Sequence, residues 1–188
     1  MTLPTLREIG RNLHGAWRLT RFDRSAVIYF DTGIDAVWRS FWAAALAYPA
    51  TILLVVLRLD AGQRQGTSLL HILALETLGY IILWAAFPLI ILAFCRLLKR
   101  EREALDFIIA YNWWQVLQTG IYAAVTLIDL ALPPDAPIFA LVAVVFLLIC
   151  EWFIARTLLA AGSMVAFAVI LLDLVLSSAM AQLTESLY

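Results

Sequence analysis

The chain has 188 residues, of which 64% are hydrophobic and only 14% are charged, and its mean hydropathy is +0.91. A soluble domain is about half apolar and a quarter charged, so one soluble core of this size could not bury these side chains. The formal net charge of −1 argues against a nucleic-acid partner, which requires a basic face. The composition therefore predicts an all-α bundle of transmembrane helices in a lipid bilayer.

The N-terminal residues 1–32 are too polar to cross a membrane and are predicted to form an amphipathic helix on the cytoplasmic side. Leu6, Ile9, Leu13 and Trp17 recur every three or four residues and share one helical face. Basic side chains lie elsewhere on this helix: Arg7, Arg11 and Arg18. Two placements remain open, because such a helix binds anionic lipid at the cytoplasmic leaflet or packs on its own bundle.

Charged residues divide residues 33–188 into apolar stretches long enough to cross the hydrocarbon core. We predict a five-helix transmembrane domain with spans at 37–58, 69–95, 107–131, 138–155 and 163–182. The first helix is expected to begin near Gly33, and the turn between the last two spans is placed at Arg156–Ser163. The alternative is four spans with a re-entrant fifth segment.

The distribution of basic residues predicts the orientation of the bundle. With a cytoplasmic N-terminus, eleven of the 13 Arg and Lys residues lie on the inner side, and only Arg58 and Arg64 lie outside. The predicted topology is therefore N-in and C-out. The N-terminus has no cleavable signal-peptide pattern, so the first span is expected to act as the insertion signal.

The third predicted span carries a polar stripe. Its members are spaced by three or four residues and share one helical face: Asn112, Gln115, Thr119, Tyr122, Thr126 and, at the outer end, Asp129. Lipid would penalise such a face, so we expect it to face other helices or water. The stripe either forms hydrogen bonds between helices or lines a polar route or binding cavity.

Ionisable residues inside a membrane are costly, which makes each of them a candidate for binding a proton or an ion. Glu76, Asp129 and Asp173 fall in the outer half of the predicted bundle, where they either share a proton or cation site or remain separate carboxyls. Asp173 belongs to a face of mostly small residues on the fifth helix, predicted to pack against the second or third helix: Gly162, Ala166, Val169, Ser177 and Met180.

On the inner side, Arg39 and Glu151 are predicted at similar depth, where an ion pair would tie the first helix to the fourth. Five tryptophans are also predicted near the inner surface, where an aromatic belt would anchor the helices at headgroup level: Trp38, Trp42, Trp113, Trp114 and Trp152.

Patterns of catalytic and metal-binding residues are absent from the sequence. His14 and His71 fall on opposite sides of the membrane, and Cys95 and Cys150 lie singly in apolar stretches, which is typical of buried reduced thiols. No P-loop, G-x-S-x-G or H-E-x-x-H motif occurs. We therefore expect no metal, no cofactor and no enzymatic activity.

Two stretches, Val37–Pro49 (VWRSFWAAALAYP) and Ala110–Gln118 (AYNWWQVLQ), resemble those of small uncharacterised polytopic proteins of proteobacterial inner membranes. The abundance of Arg over Lys, with much Ala and Leu, is typical of proteins from GC-rich bacteria. In topology alone, five helices behind a cytoplasmic segment also resemble the Yip1-type membrane proteins. That resemblance implies a non-enzymatic role in membrane organisation or trafficking.

Two functions follow from these observations. The first is a non-enzymatic scaffold or accessory subunit of a membrane system, with a membrane-protein partner or a second copy of the chain bound to its polar faces. The alternative is a small proton- or cation-coupled transporter or channel that uses intramembrane carboxylates. A water-accessible cavity that reaches Glu76 or Asp173 would favour transport, whereas a dry, tightly packed interior would favour the scaffold.

Overall fold

The computed structural model describes residues 3–59, 68–131 and 138–187. Within these ranges the chain is helical and has no strand, which confirms the predicted all-α class. The helices are α1 (Leu6–Thr20), a 3-10 helix (Arg24–Tyr29), α2 (Ile34–Ser40), α3 (Trp42–Arg58), α4 (Leu69–Leu97), α5 (Glu101–Ala131), α6 (Ile138–Leu158) and α7 (Ser163–Glu185). The two predicted outer loops, at 60–67 and 132–137, lie outside the described residues.

Four helical segments are long and apolar enough to cross a membrane: Ile34–Arg58, Leu69–Leu97, Phe139–Leu158 and Ser163–Glu185. They indicate a multi-pass membrane protein. The first segment comprises α2 and α3, which are separated by a turn at Phe41. It begins beside Gly33, as predicted, and the backbone of Gly33 has a φ of 91°, a left-handed conformation that glycine adopts readily.

Helix α5 lies at the centre of the bundle. Every residue from Phe107 to Trp114 is at most 2% exposed, so this half of the helix is buried on all sides. The neighbours that cover it are α1, α2, α3, α4 and α6. Because protein rather than lipid surrounds this half, α5 can carry polar side chains there without exposing them to lipid.

Helix α1 packs against α5 and also contacts α6. Its buried residues are Asn12, Gly15, Ala16, Leu19 and Thr20, and Ile9 and Leu13 pack against the same core. The other two members of the predicted apolar stripe differ, since Leu6 is 87% and Trp17 is 51% exposed. One face of α1 therefore packs on its own bundle, and a second apolar edge remains on the surface.

Two glycines of α1 provide a matched test of this packing. A Cβ at Gly15 would lie 2.8 Å from Tyr29 Cβ and 2.9 Å from Phe30 Cζ, whereas a Cβ at Gly10 has nothing within 4 Å. We expect Gly15→Ala to lower the free energy of unfolding by about 1–3 kcal/mol through overpacking. Gly10→Ala should leave it unchanged or raise it by up to about 1 kcal/mol through helix propensity. Denaturant titration in mixed micelles measures both, and equal effects would contradict the docked position of α1.

The turns at one end of the bundle are held together by Arg100. Its Nη1 donates hydrogen bonds to the carbonyl oxygens of Leu159 and Ala160, at 3.0 and 3.1 Å. These carbonyls follow the end of α6 at Leu158, and α7 begins at Ser163, so the predicted turn at Arg156–Ser163 is confirmed. The α4–α5 turn and the α6–α7 turn therefore lie at the same end of the molecule.

Helix α7 packs against α4 and α6. Ala166, Val169 and Asp173 are buried, which confirms the inner part of its predicted face, and α4 is one of the two neighbours predicted for it. The contact with α4 is close at Gly79, where a Cβ would lie 2.8 Å from Thr184 Cγ2.

Candidate functional site

A chain of hydrogen bonds links α5 to α7 at Asp173. Tyr111 Oη donates to Asp173 Oδ1 at 2.9 Å, and Gln115 Nε2 donates to Tyr111 Oη at 2.8 Å. Tyr111 and Gln115 are one helical turn apart, so both reach the same point. Tyr111 is 2% exposed and Asp173 is 9% exposed. The Asp173 carboxylate is therefore positioned by a neutral hydroxyl that is itself held in place.

A second acid, Glu151 of α6, lies beside this chain and is 1% exposed. Its carboxyl group lies within electrostatic range of both Asp173 and Tyr111. Glu151 Oε1 has no hydrogen-bond partner among the described residues, and the same is true of the nearby ring nitrogen Nε1 of Trp114. We refer to Tyr111, Gln115, Glu151 and Asp173 as the acid cluster.

No basic side chain neutralises the acid cluster within the part of the chain that the structure describes. All ion pairs found there join other residues. An uncompensated buried charge costs several kcal/mol, and two such charges of the same sign also repel each other. Charge balance therefore requires that a proton or a cation accompany the pair Glu151 and Asp173.

A small cavity of about 30 Å³ adjoins Asp173. On one side it is lined by Tyr111, Asn112 and Gln115 of α5, and on the other by apolar α4 residues that include Trp84 and Pro88. A water molecule needs roughly 10–15 Å³ of accessible space, together with polar partners. The cavity offers both, so it can hold a water molecule or a small ion next to the carboxylate.

The shared site, one of the two alternatives predicted for Glu76, Asp129 and Asp173, is not formed. Asp129 lies 18 residues beyond Tyr111 in α5, which places it about 27 Å along the helix axis from the acid cluster. Glu76 lies 11 residues before Phe87, whose ring is 4.6 Å from that of Tyr111, so it is about 16 Å away along α4. Glu76 and Asp129 are therefore separate from Asp173, as the second of the two predicted alternatives has it, and the acid that lies near Asp173 is Glu151.

The predicted ion pair between Arg39 and Glu151 is also wrong. Arg39 pairs instead with Asp31 Oδ2 at 3.5 Å and with Glu8 Oε1 at 3.8 Å, and Arg11 also bonds Asp31. Glu8 reaches Arg39 from α1, which packs on the bundle, whereas Asp31 lies just before α2 in the chain. Depth along the helices, on which the prediction relied, carries no information about this docking.

The N-terminal segment contains a second network of charges around Arg18. Its guanidinium pairs with Asp23, donates to Tyr29 Oη at 2.8 Å and lies 5.3 Å from the Tyr29 ring centre. Hydrogen bonds from the side chain and backbone N–H of Ser25 lower the pKa of the Asp23 carboxyl. The carboxylate therefore stays ionised at neutral pH and holds the chain between α1 and the 3-10 helix.

The polar stripe of α5 divides into two parts. Asn112 Nδ2 donates to Ser40 Oγ at 2.9 Å, a buried bond that joins α5 to α2, and Gln115 belongs to the acid cluster. The outer members are half-buried: Thr119, Tyr122 and Thr126. Asn112 thus supports the reading of the stripe as a packing surface, whereas Gln115 lies at a cavity.

The predicted aromatic belt fails for two of its five members, and for the other three it stays a prediction. Trp38 and Trp42 are 51% and 43% exposed, and half-buried Trp152 has the Arg156 guanidinium 5.0 Å from its ring centre. Trp113 and Trp114, however, are 1% and 0% exposed and belong to the core. Their prediction as anchors fails because α1, α2 and α6 surround this part of α5.

Sequence reasoning missed Tyr111, the residue of the acid cluster that hydrogen-bonds both Gln115 and Asp173. The spacing of four between Tyr111 and Gln115 was visible, but Tyr111 lies beside the polar stripe and carries a mostly apolar ring.

Among the described residues, no group of His, Cys, Asp and Glu side chains is arranged to hold a metal ion. No protein-family model, curated protein or solved structure matches this chain, and the resemblance to Yip1-type proteins stays a prediction.

Proposed function

We propose that the chain is a small proton- or cation-coupled carrier of the bacterial inner membrane, and that it is not an enzyme. The observation that carries this proposal is the pair Glu151 and Asp173, buried with no basic partner in the described residues, beside a cavity that can hold one water. Acids inside membrane helices mark proton relays and ion paths. The small cavity that adjoins Asp173 supports the proposal, because it gives the carboxylate room for one water molecule or small ion.

We propose α5 as a fifth span, with the N-terminus inside and the C-terminus outside. Its 31 residues extend about 46 Å, which exceeds the thickness of the hydrocarbon core. Its polar residues are acceptable because its neighbours cover its inner half. Arg100, Arg102 and Arg156 then fall on the cytoplasmic side with the basic N-terminal segment, as expected for a bacterial membrane protein.

In this function Asp173 is the exchanging carboxylate. Tyr111 donates to its Oδ1, which leaves Oδ2 to take a proton or a cation from the cavity. Glu151 and Asp173 repel each other when both are ionised. The pair therefore holds one proton or cation in each state. Gln115 holds the Tyr111 hydroxyl in the orientation that donates to Asp173.

Proton flux in liposomes tests this function. The purified protein is reconstituted, a potassium diffusion potential is applied, and a trapped pH dye reports the flux. We expect Asp173→Asn to reduce the flux by at least about tenfold, because the amide keeps the bond to Tyr111 but cannot exchange a proton. Ser177→Ala, one turn away on α7 and half-buried, is the matched control and should retain the flux. A folded Asp173→Asn protein with undiminished flux would rule out this role of Asp173.

The scaffold or accessory subunit remains a second candidate, favoured by the apolar side chains that the N-terminal segment exposes. Leu6, Trp17 and Ile28 are 87%, 51% and 74% exposed, next to Arg7 and Arg21. Such an edge suits a leaflet with anionic lipid or a membrane-protein partner. Affinity purification in a mild detergent separates the candidates: a stoichiometric complex supports the scaffold, whereas a lone chain with Asp173-dependent flux rejects it.

A further inference from the structure

An apolar groove of about 480 Å³ lies between α2 and α4, with α5 as its floor. Its lining contains four aromatic side chains: Trp38, Phe41, Tyr80 and Trp84. The rings form neighbouring pairs, with centres 6.0 Å apart for Trp38 and Phe41 and 5.8 Å apart for Tyr80 and Trp84. The Tyr80 hydroxyl in this wall is held by the protein itself, since Tyr80 Oη donates to the carbonyl of Ala44 at 2.7 Å. The groove is therefore an aromatic surface of the size that takes drug-sized molecules, about 300–1,000 Å³.

The groove and the acid cluster share a wall. Trp84 and Pro88 of α4 line both the groove and the small cavity at Asp173. One layer of side chains on one helix therefore separates an aromatic surface from an uncompensated acid pair. Pro88 removes a backbone hydrogen bond from α4 at this point, which makes the helix easier to bend where the two spaces meet.

We propose that this groove binds a lipophilic cation, with the apolar body against the four aromatic side chains and the positive charge directed past Trp84 towards Asp173. The proposal rests on the proposed function and names its substrate class. Aromatic faces attract organic cations, and the attraction grows when water is excluded. The acid pair supplies the complementary charge, which a neutral or anionic occupant would not use.

Binding would exchange the cation for a proton. The titratable groups around Asp173 in the described residues are Tyr111 on α5 and Glu151 on α6, while the α4 residues of the cavity are Leu83, Trp84, Phe87 and Pro88 and carry none. Entry of one positive charge removes the need for the proton that balances the pair. About one proton is therefore released for each cation bound, and no covalent bond changes.

Tetraphenylphosphonium is the probe for the test, added to the full chain in detergent. Tryptophan fluorescence reports binding, and a pH dye in weak buffer reports proton release from the wild-type protein. We expect saturable binding that weakens as the pH falls, with about one proton released per cation. Triphenylphosphine oxide, a neutral molecule of similar shape, should bind at least about tenfold more weakly.

Three variants locate the site. Asp173→Asn should weaken tetraphenylphosphonium at least about tenfold. Ala85→Trp fills the groove and should abolish binding, whereas Ala93→Trp, at an exposed alanine of α4 outside the groove, should not. No saturable binding, binding without proton release, or equal binding of the neutral molecule overturns the proposal; the last outcome would indicate a site for lipid chains. Asp173-dependent proton flux without tetraphenylphosphonium binding would overturn this inference and leave the proposed function standing.

Discussion

Replacing Glu151 by methionine is expected to raise the free energy of unfolding by about 1–4 kcal/mol and to abolish proton flux. Glu151 is 1% exposed, and its Oε1 has no hydrogen-bond partner among the described residues. When ionised, its carboxylate repels that of Asp173, which has the same charge. Methionine has a similar length and volume and carries no charge, so it removes the desolvation cost without leaving a cavity. Denaturant titration in mixed micelles measures the stability, and the liposome assay measures the flux.

Leu147→Met is the matched control, because Leu147 lies about one turn away on α6 and is 2% exposed. A swap between apolar residues of similar size should cost less than about 1.5 kcal/mol and leave the flux intact. If Glu151→Met destabilises the protein by more than Leu147→Met does, Glu151 makes a favourable interaction in the native state. The acid cluster would then be a structural element rather than an exchange site.

The two measurements together distinguish the candidate functions. A scaffold has no use for an uncompensated acid pair, so a stabilising substitution there should carry no functional loss. A carrier retains such a pair because exchange requires it, and stability is sacrificed at the site. Gain of stability with loss of flux is therefore the combination that the proposed function requires.

Much of the bundle follows from local patterns in the sequence. Apolar stretches between charges predict the helices, and the turn between α6 and α7 falls within the predicted range because Arg156 and Gly162 interrupt an apolar run. The polar stripe on α5 correctly indicates that other helices pack against this helix, which they cover fully in its inner half. These predictions succeed because each depends on residues a few positions apart, whose relative positions the helix fixes.

The candidate site could be predicted only in part, because its members come from three helices. Asp173 was recognised as a buried acid in need of a partner, but Glu151 was assigned to Arg39 from depth alone. Which helices are neighbours depends on long-range packing, and the position of α1 on the bundle brings Glu8 to Arg39, which also pairs with Asp31 just before α2. Depth along a span fixes one coordinate of a residue and leaves its angular position open.

Because α1 docks on α5, two tryptophans that look equivalent in sequence should differ strongly in how much they contribute to the free energy of unfolding. Trp113→Ala is expected to lower the free energy of unfolding by about 3–5 kcal/mol, because the side chain is 1% exposed and its removal leaves a cavity between α5 and the N-terminal segment. Trp42→Ala, at a residue that is 43% exposed, should cost less than about 1 kcal/mol. Denaturant titration of both variants measures the difference. Equal costs would place Trp113 at the membrane surface and would remove the N-terminal segment from the core.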